Sequence, residues 1–162
     1  MPQPISSLAT RWASYLDLDA PFDQQLQTNV VLVSFLKPPD LQWSFILAVA
    51  DALRDTPGLY YLAAGPLESL LSKHGEDWIT HLEIAAERSA RIRFMTALCQ
   101  RQAMSEDVWH RLQHIPSDQD REAAQSGYIQ DAHDFRLEME RKARSYLIQI
   151  RNQRKTGGTS KA

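Results

Sequence analysis

Apolar residues in this chain recur at steps of three and four and almost nowhere at steps of two, the spacing that lines up one face of an α-helix rather than one face of a strand. Ile5, Leu8, Trp12, Tyr15 and Leu16 set the pattern; Trp43, Ile46, Leu47, Ala50 and Leu53 repeat it, and so do Trp78, Ile79, Leu82, Ala85 and Ala86. The glycines and prolines fall between such segments. The spacing predicts an all-α protein, a compact multi-helix domain of short helices, with tight turns that permit HEAT-like packing. The β-branched run Val30, Val31, Val33 reads locally as a strand, but no second strand is present to pair with it, so helix is expected there too. A chain of 162 residues can bury about two-thirds of its unfolded surface and needs no metal or disulfide to fold.

Helices are expected over 5–16, 24–37 and 41–54, the last capped by Asp40, with Pro57 and Gly58 ending it. In the stretch Leu62–Gly75, LAAGPLESLLSKHG, Gly65 suits an N-cap and Pro66 the first helical position. Glu68 then reaches back to the capping amide, and Gly75 suits a left-handed C-terminal stop. Local chemistry thus predicts a complete short helix. The functional alternative is acid–base work by Glu68 and His74, which lie six residues apart and well round that helix from one another. Glu76 and Asp77 open the next helix, another is expected over 90–102, and Ser105 caps a short one that Pro116 closes.

Four parts are expected: a helical domain over 1–116, a polar linker over 117–127, a long amphipathic basic helix over 128–155 and a flexible tail over 156–162. The long helix carries a heptad-like seam of Tyr128, Ala132, Phe135, Met139, Ala143, Tyr146 and Ile150. That seam must pack on the chain's own body or on a second copy, and a linker that lets the helix leave favours a homodimer.

A formal net charge of −2 conceals an asymmetry: residues 1–135 carry −8 and residues 136–162 carry +6. Such a body suits a basic partner, and such a helix an anionic one, including nucleic acid. The start has no basic segment followed by an apolar core, and Val30–Ala50 is interrupted by Lys37, Pro38, Pro39 and Asp40. A cytoplasmic protein that does not cross a membrane is expected. Cys99, the single cysteine, sits in an apolar periodic stretch and reads as a buried, inert thiol.

Candidate chemistry is sparse. His110 and His114 stand four apart, as two metal ligands on one helix would, but HRLQH lacks the glutamate of the zinc-protease motif and no third ligand is marked. No glycine-rich phosphate loop or nucleophile elbow occurs. Neither an enzyme, nor a cofactor, nor a metal site is expected. Arg91, Arg93, Arg101 and Arg111 suit an anion or a partner's carboxylate, although helix arginines are most often solvated or paired internally.

Leu62, Gly65, Pro66, Leu67, Glu68, Leu70, Leu71, His74 and Gly75, followed by Arg91, Arg93, Val108, Trp109, Arg111 and Gln113, with Trp43 upstream, carry a resemblance. Over residues 40–115 the chain resembles an uncharacterised bacterial family of small proteins with the pattern Leu-x-x-Gly-Pro-Leu-Glu-x-Leu-Leu-x-x-His-Gly and then Val-Trp-x-Arg-(Leu/Ile)-Gln. It departs at Ser89–Ala90, where Asp-Pro is usual, and near Cys99–Gln100, where a Trp is usual. The resemblance implies a helical bacterial fold and no reaction, and Gly65, Pro66, Glu68, His74, Gly75 and Trp109 read as structural. Two functions are expected to compete. The first is a protein-binding domain, such as an immunity protein or antitoxin masking a basic toxin, with Asp51, Asp55, Glu76, Asp77, Glu83, Glu87, Arg91 and Arg93 as its partner-binding residues. The second is an oligomeric scaffold or adaptor assembled through the C-terminal helix.

Overall fold

The structure, a computed structural model, describes residues 4–157, apart from the side chains of residues 127–133, 136 and 154–157. The described residues are helical nearly throughout and contain no strand. In chain order the helices are α1 (Ile5–Leu16), α2 (Gln24–Leu36), α3 (Pro39–Ala52), α4 (Thr56–Leu62), a π-helical turn (Ala63–Leu67), α5 (Glu68–Arg88), α6 (Ala90–Thr96), α7 (Glu106–His114) and α8 (Asp118–Gly157). The β-branched run is helical, inside α2, where an Asp23 carboxylate oxygen accepts the Leu26 N–H at 3.0 Å and caps the start.

The core forms where the apolar stripes of α1, α3 and α5 meet. Trp12 stacks on Phe45 at 5.6 Å, and Leu16, Ile46, Leu62, Leu67, Leu70, Ile79, Leu82 and Met95 are almost wholly buried around that pair. Burying a side chain of this size contributes about 1.5–3 kcal/mol, so this cluster dominates the stability. Cys99 lies at its edge, where burial, and secondarily the Glu68 charge, push its thiol well above the usual range.

Several local expectations are corrected. Helix α3 begins at Pro39, with Pro38 rather than Asp40 before it, because proline suits a first-turn position. Pro57 and Gly58 stand in the first turn of α4 for the same reason, starting a helix instead of ending one. Helix α6 stops at Thr96, so 97–105 is a loop, with Gln102 in the left-handed region at φ 47°.

The largest correction concerns Gly65, Pro66 and Gly75. Neither glycine ends a helix. Pro66 has no N–H for the Leu62 carbonyl, and its ring would clash with that carbonyl in a regular α-helix. One turn widens instead: the Glu68 N–H bonds to the Ala63 carbonyl, five residues back, and the chain runs from α4 into α5 without stopping. Gly75 is an interior residue of α5, buried and without positive φ, just after a kink at His74 (φ −134°, ψ 16°).

Residues 118–127 are the first turns of α8 rather than an irregular connection. Ser117 and Asp120 cap it reciprocally: the Asp120 N–H bonds to Ser117 Oγ at 3.1 Å, and Asp120 Oδ2 accepts the Ser117 N–H at 2.9 Å. The polar composition of this stretch is therefore that of a capped, solvent-facing helix start. Further along, the seam packs on the chain's own body. Phe135 is buried 4.8 Å from the Tyr61 ring, Tyr146 lies 5.0 Å from Phe22, and Lys142 Nζ donates to the Ala20 carbonyl at 2.7 Å. Lys142 also lies over the Tyr15 ring, whose hydroxyl is pushed up to about 12 by burial and secondarily by Tyr61. The side chains of Tyr128 and Ala132, and residues 158–162 of the expected tail, lie outside the described residues.

Candidate functional site

Glu68 is the most deeply placed carboxylate of the resemblance motif, 4% exposed. The widened turn at Pro66 aims it across the molecule at the 97–105 loop. There Glu68 Oε1 accepts the Gln100 N–H at 2.8 Å, and the Gln102 side chain also bonds the carboxylate. Burial raises its pKa above the ordinary glutamate value, and the two hydrogen bonds partly oppose that rise. Glu68 thus pins the loop carrying left-handed Gln102, while His74 marks the kink in α5, so the two are put to separate structural uses.

Gly75 is where α5 and α7 touch. A Cβ there would lie 2.8 Å and 2.9 Å from the two Val108 methyls, so the glycine exists for close approach, not for a turn. Trp109, next to Val108, forms one wall of a cleft of about 510 Å³ with Leu98, Leu112, Pro116 and Ala124.

The expected partner-binding residues divide by charge. The arginines are tied inside the fold. Arg91 donates to the Ala50 carbonyl at 2.8 Å and also to the Leu53 carbonyl, closing the C-terminal end of α3. Arg93 Nε donates to Asp120 Oδ2 at 2.7 Å. Although burial pushes Asp120 upward, Arg93 and Ser117 outweigh it and hold the carboxyl below its ordinary value. Arg111 makes a two-point contact with Glu83, at 2.9 Å and 2.6 Å, and bonds Thr80. With Glu87 and His114, Arg93 and Arg111 line a second cleft of about 470 Å³.

Most of the acidic residues remain outward. Asp51, Asp55, Asp77 and Glu87 are exposed and make no ion pair among the described residues. Glu76 accepts the Ser105 hydroxyl at 2.5 Å, and Glu83 is held by Arg111. His110 and His114 are exposed, their rings 4.4 Å apart, with His114 Nδ1 at 2.7 Å from the His110 carbonyl. Among the described residues no group of three His, Cys, Asp or Glu converges as metal ligands.

Tertiary structure adds an aromatic seam between α3 and α5. Trp43 and Trp78, both partly exposed, lie 6.0 Å apart, and His81 lies 4.6 Å from Trp78. Exposed Asp40 stands one turn before Trp43 on α3 and exposed Asp77 next to Trp78 on α5, while Asp51 lies two turns further along α3, in a cleft with Ser89 and Arg91. The sequence puts Trp43 and Trp78 each on the apolar stripe of its own helix. Thirty-five positions separate the two tryptophans, and nothing local marks that they meet.

No helix among the described residues is long and apolar enough to cross a membrane. No curated protein and no solved structure matches the chain. A family model does match, over residues 18–119, from the α1–α2 connection to the first turn of α8. That span contains the widened turn, Glu68, Gly75, Trp109 and both flanks of the tryptophan seam, and by it the chain belongs to a family of unknown function, DUF6869.

Proposed function

We propose that this protein is a non-catalytic bacterial capture domain of the immunity-protein or antitoxin kind, acting in the cytoplasm and binding a basic protein through its α3–α5 face. One observation carries the reading: the partly exposed pair Trp43 and Trp78 has Asp40 one turn before Trp43 on α3 and Asp77 next to Trp78 on α5, exposed carboxylates that make no ion pair among the described residues. Protein interfaces favour this arrangement, an aromatic anchor that loses water at the centre and a charged rim that sets the approach. The outward carboxylates of this face accelerate encounter with a cationic partner, and salt screens that attraction over about 10 Å at 0.1 M.

The test is capture from a lysate of the source organism with the full chain, followed by kinetics on the purified partner. A basic protein whose association rate falls with salt, falls again on charge reversal of Asp40 and Asp77, and whose dissociation speeds up in Trp43→Ala supports the reading. Capture unchanged by all of these substitutions overturns it. Loss only on replacing Arg141, Lys142, Arg144 and Arg151 by Gln moves the function to the adaptor built on α8. Two of those four are already engaged, Arg141 with Glu138 and Lys142 with Ala20.

A further inference from the structure

Helix α2 is apolar on both its buried and its exposed side. Its buried side consists of Leu26, Val30 and Ser34, and Ser34 Oγ is enclosed without a hydrogen-bond partner. Four further apolar side chains face outward: Val31 is 52% exposed, Leu32 41%, Phe35 36% and Leu36 72%, while Val33 packs against the core. At positions 31, 32, 35 and 36 these four form one stripe across successive turns. A helix that served only the monomer's core would gain by turning the stripe inward, since burying each such side chain contributes about 1.5–3 kcal/mol. The outward orientation marks a surface that is covered in the assembled state.

We propose that a second copy of this chain covers it, α2 packing against α2 of the other copy across a two-fold axis. Charge points to that occupant. The thirteen residues of α2 contain no Asp, Glu, Lys, Arg or His, so the stripe offers no ion pair to the basic partner proposed for the α3–α5 face. An uncharged stripe is complementary to itself, as a two-fold interface requires. Each copy carries a net charge of −2 with outward carboxylates such as Asp51, Asp77 and Glu87 on other faces, whereas this stripe carries no carboxylate and has Lys37 and Lys73 at its end. Lys73 Nζ bonds the Phe35 carbonyl at 3.1 Å and lies 5.8 Å from the Phe35 ring, which places a cation at the edge of the stripe. A standard interface covers about 800 Å² per partner, more than four side chains provide. The contact therefore extends to exposed Gln24, Gln25 and Thr28, and the dimer dissociates on dilution.

Sedimentation of the full chain from sub-micromolar to hundreds of micromolar tests this. The native chain is expected to pass from monomer to dimer, and a Val31→Glu, Leu36→Glu double variant to weaken the dimer about tenfold or more while keeping its helical circular dichroism. Leu147→Glu with Ile148→Glu, on the exposed side of α8, is expected to leave the midpoint unchanged. Mild oxidation of Leu32→Cys gives a covalent dimer, while the native chain, whose single thiol is buried, gives none. The Leu32→Cys arm decides the matter if the glutamate variant fails to fold. A native chain that stays monomeric throughout, a dimer broken by the α8 pair but not by the α2 pair, or a Leu32→Cys chain that does not cross-link overturns the proposal.

Discussion

The Glu68 carboxylate accepts the backbone N–H of Gln100 at 2.8 Å across a separation of 32 residues, so the motif helix holds the loop that leads to α7. This bond spans the two halves of the motif, connecting its Gly-Pro-Leu-Glu part to the segment that precedes Val-Trp.

Glu68 therefore governs loop stability and one part of the pH dependence. Its folded pKa is raised, so the carboxyl's contribution is fully present below the unfolded value of 4.5 and is lost as pH rises through the higher folded value. Urea unfolding at a series of pH values is expected to show native stability falling across that window. Glu68→Gln, which keeps a carbonyl oxygen for Gln100, flattens the fall. Glu68→Ala costs about 1–3 kcal/mol below that window, because the Gln100 N–H loses its acceptor, and less above it. Parallel pH curves for the native chain and Glu68→Gln would contradict this account.

The two motif glycines respond in opposite directions. A Cβ at Gly65 meets nothing within 4 Å, and its φ is not positive, so Gly65→Ala is expected to be stabilising by about 0.4–1 kcal/mol. Gly75→Ala drives a methyl into Val108 and costs about 1–3 kcal/mol despite alanine's better helix propensity. Adding Val108→Ala to Gly75→Ala relieves the clash, so its cost is smaller than in the native background. Denaturation midpoints of these three variants, with Val108→Ala alone as the reference for the double one, read out the whole pattern.

Asp120 supplies an acid-sensitive contact with the opposite sign. Its folded pKa lies below the unfolded 3.8, so its contribution is present above that value and lost as pH falls through the folded one. Arg93→Ala and Asp120→Asn are each expected to cost about 1.5–3 kcal/mol near neutrality and to shallow the acid limb of the stability curve. They also free the start of α8, which limited proteolysis near residue 117 detects. An acid limb unchanged in both variants counts against the contact.

Some features needed only local chemistry to be read. The bounds of α1 and the Ser105 cap of α7 depend on residues within one or two turns of each other, and the structure has them as expected. Others were misread because a residue type answers to two physical causes. Proline ends a helix unless the turn can widen, as it does at Pro66; glycine serves a turn or a close approach, and only Val108 across the helix pair shows which holds at Gly75. The polar stretch after Pro116 has the composition of a linker, but Arg93, far away in sequence, helps to make it the capped start of α8.

Periodicity was sufficient to make this chain all-α, because the hydrogen bonds and side-chain neighbours of a helix lie within four residues. The order of charges along the chain was sufficient to separate an acidic stretch, residues 1–135, from a basic one, residues 136–162. Which charges remain available was a tertiary matter: Arg91, Arg93 and Arg111 close helix ends and ion pairs, while Asp51, Asp77 and Glu87 stay outward. The meeting of Trp43 with Trp78, the return of α8 to Phe22 and Tyr61, and the outward stripe of α2 were likewise decided by packing. An amphipathic pattern states how much apolar surface a helix must cover, but only the arrangement of all the helices together decides which part is covered within the chain and which part is left for another.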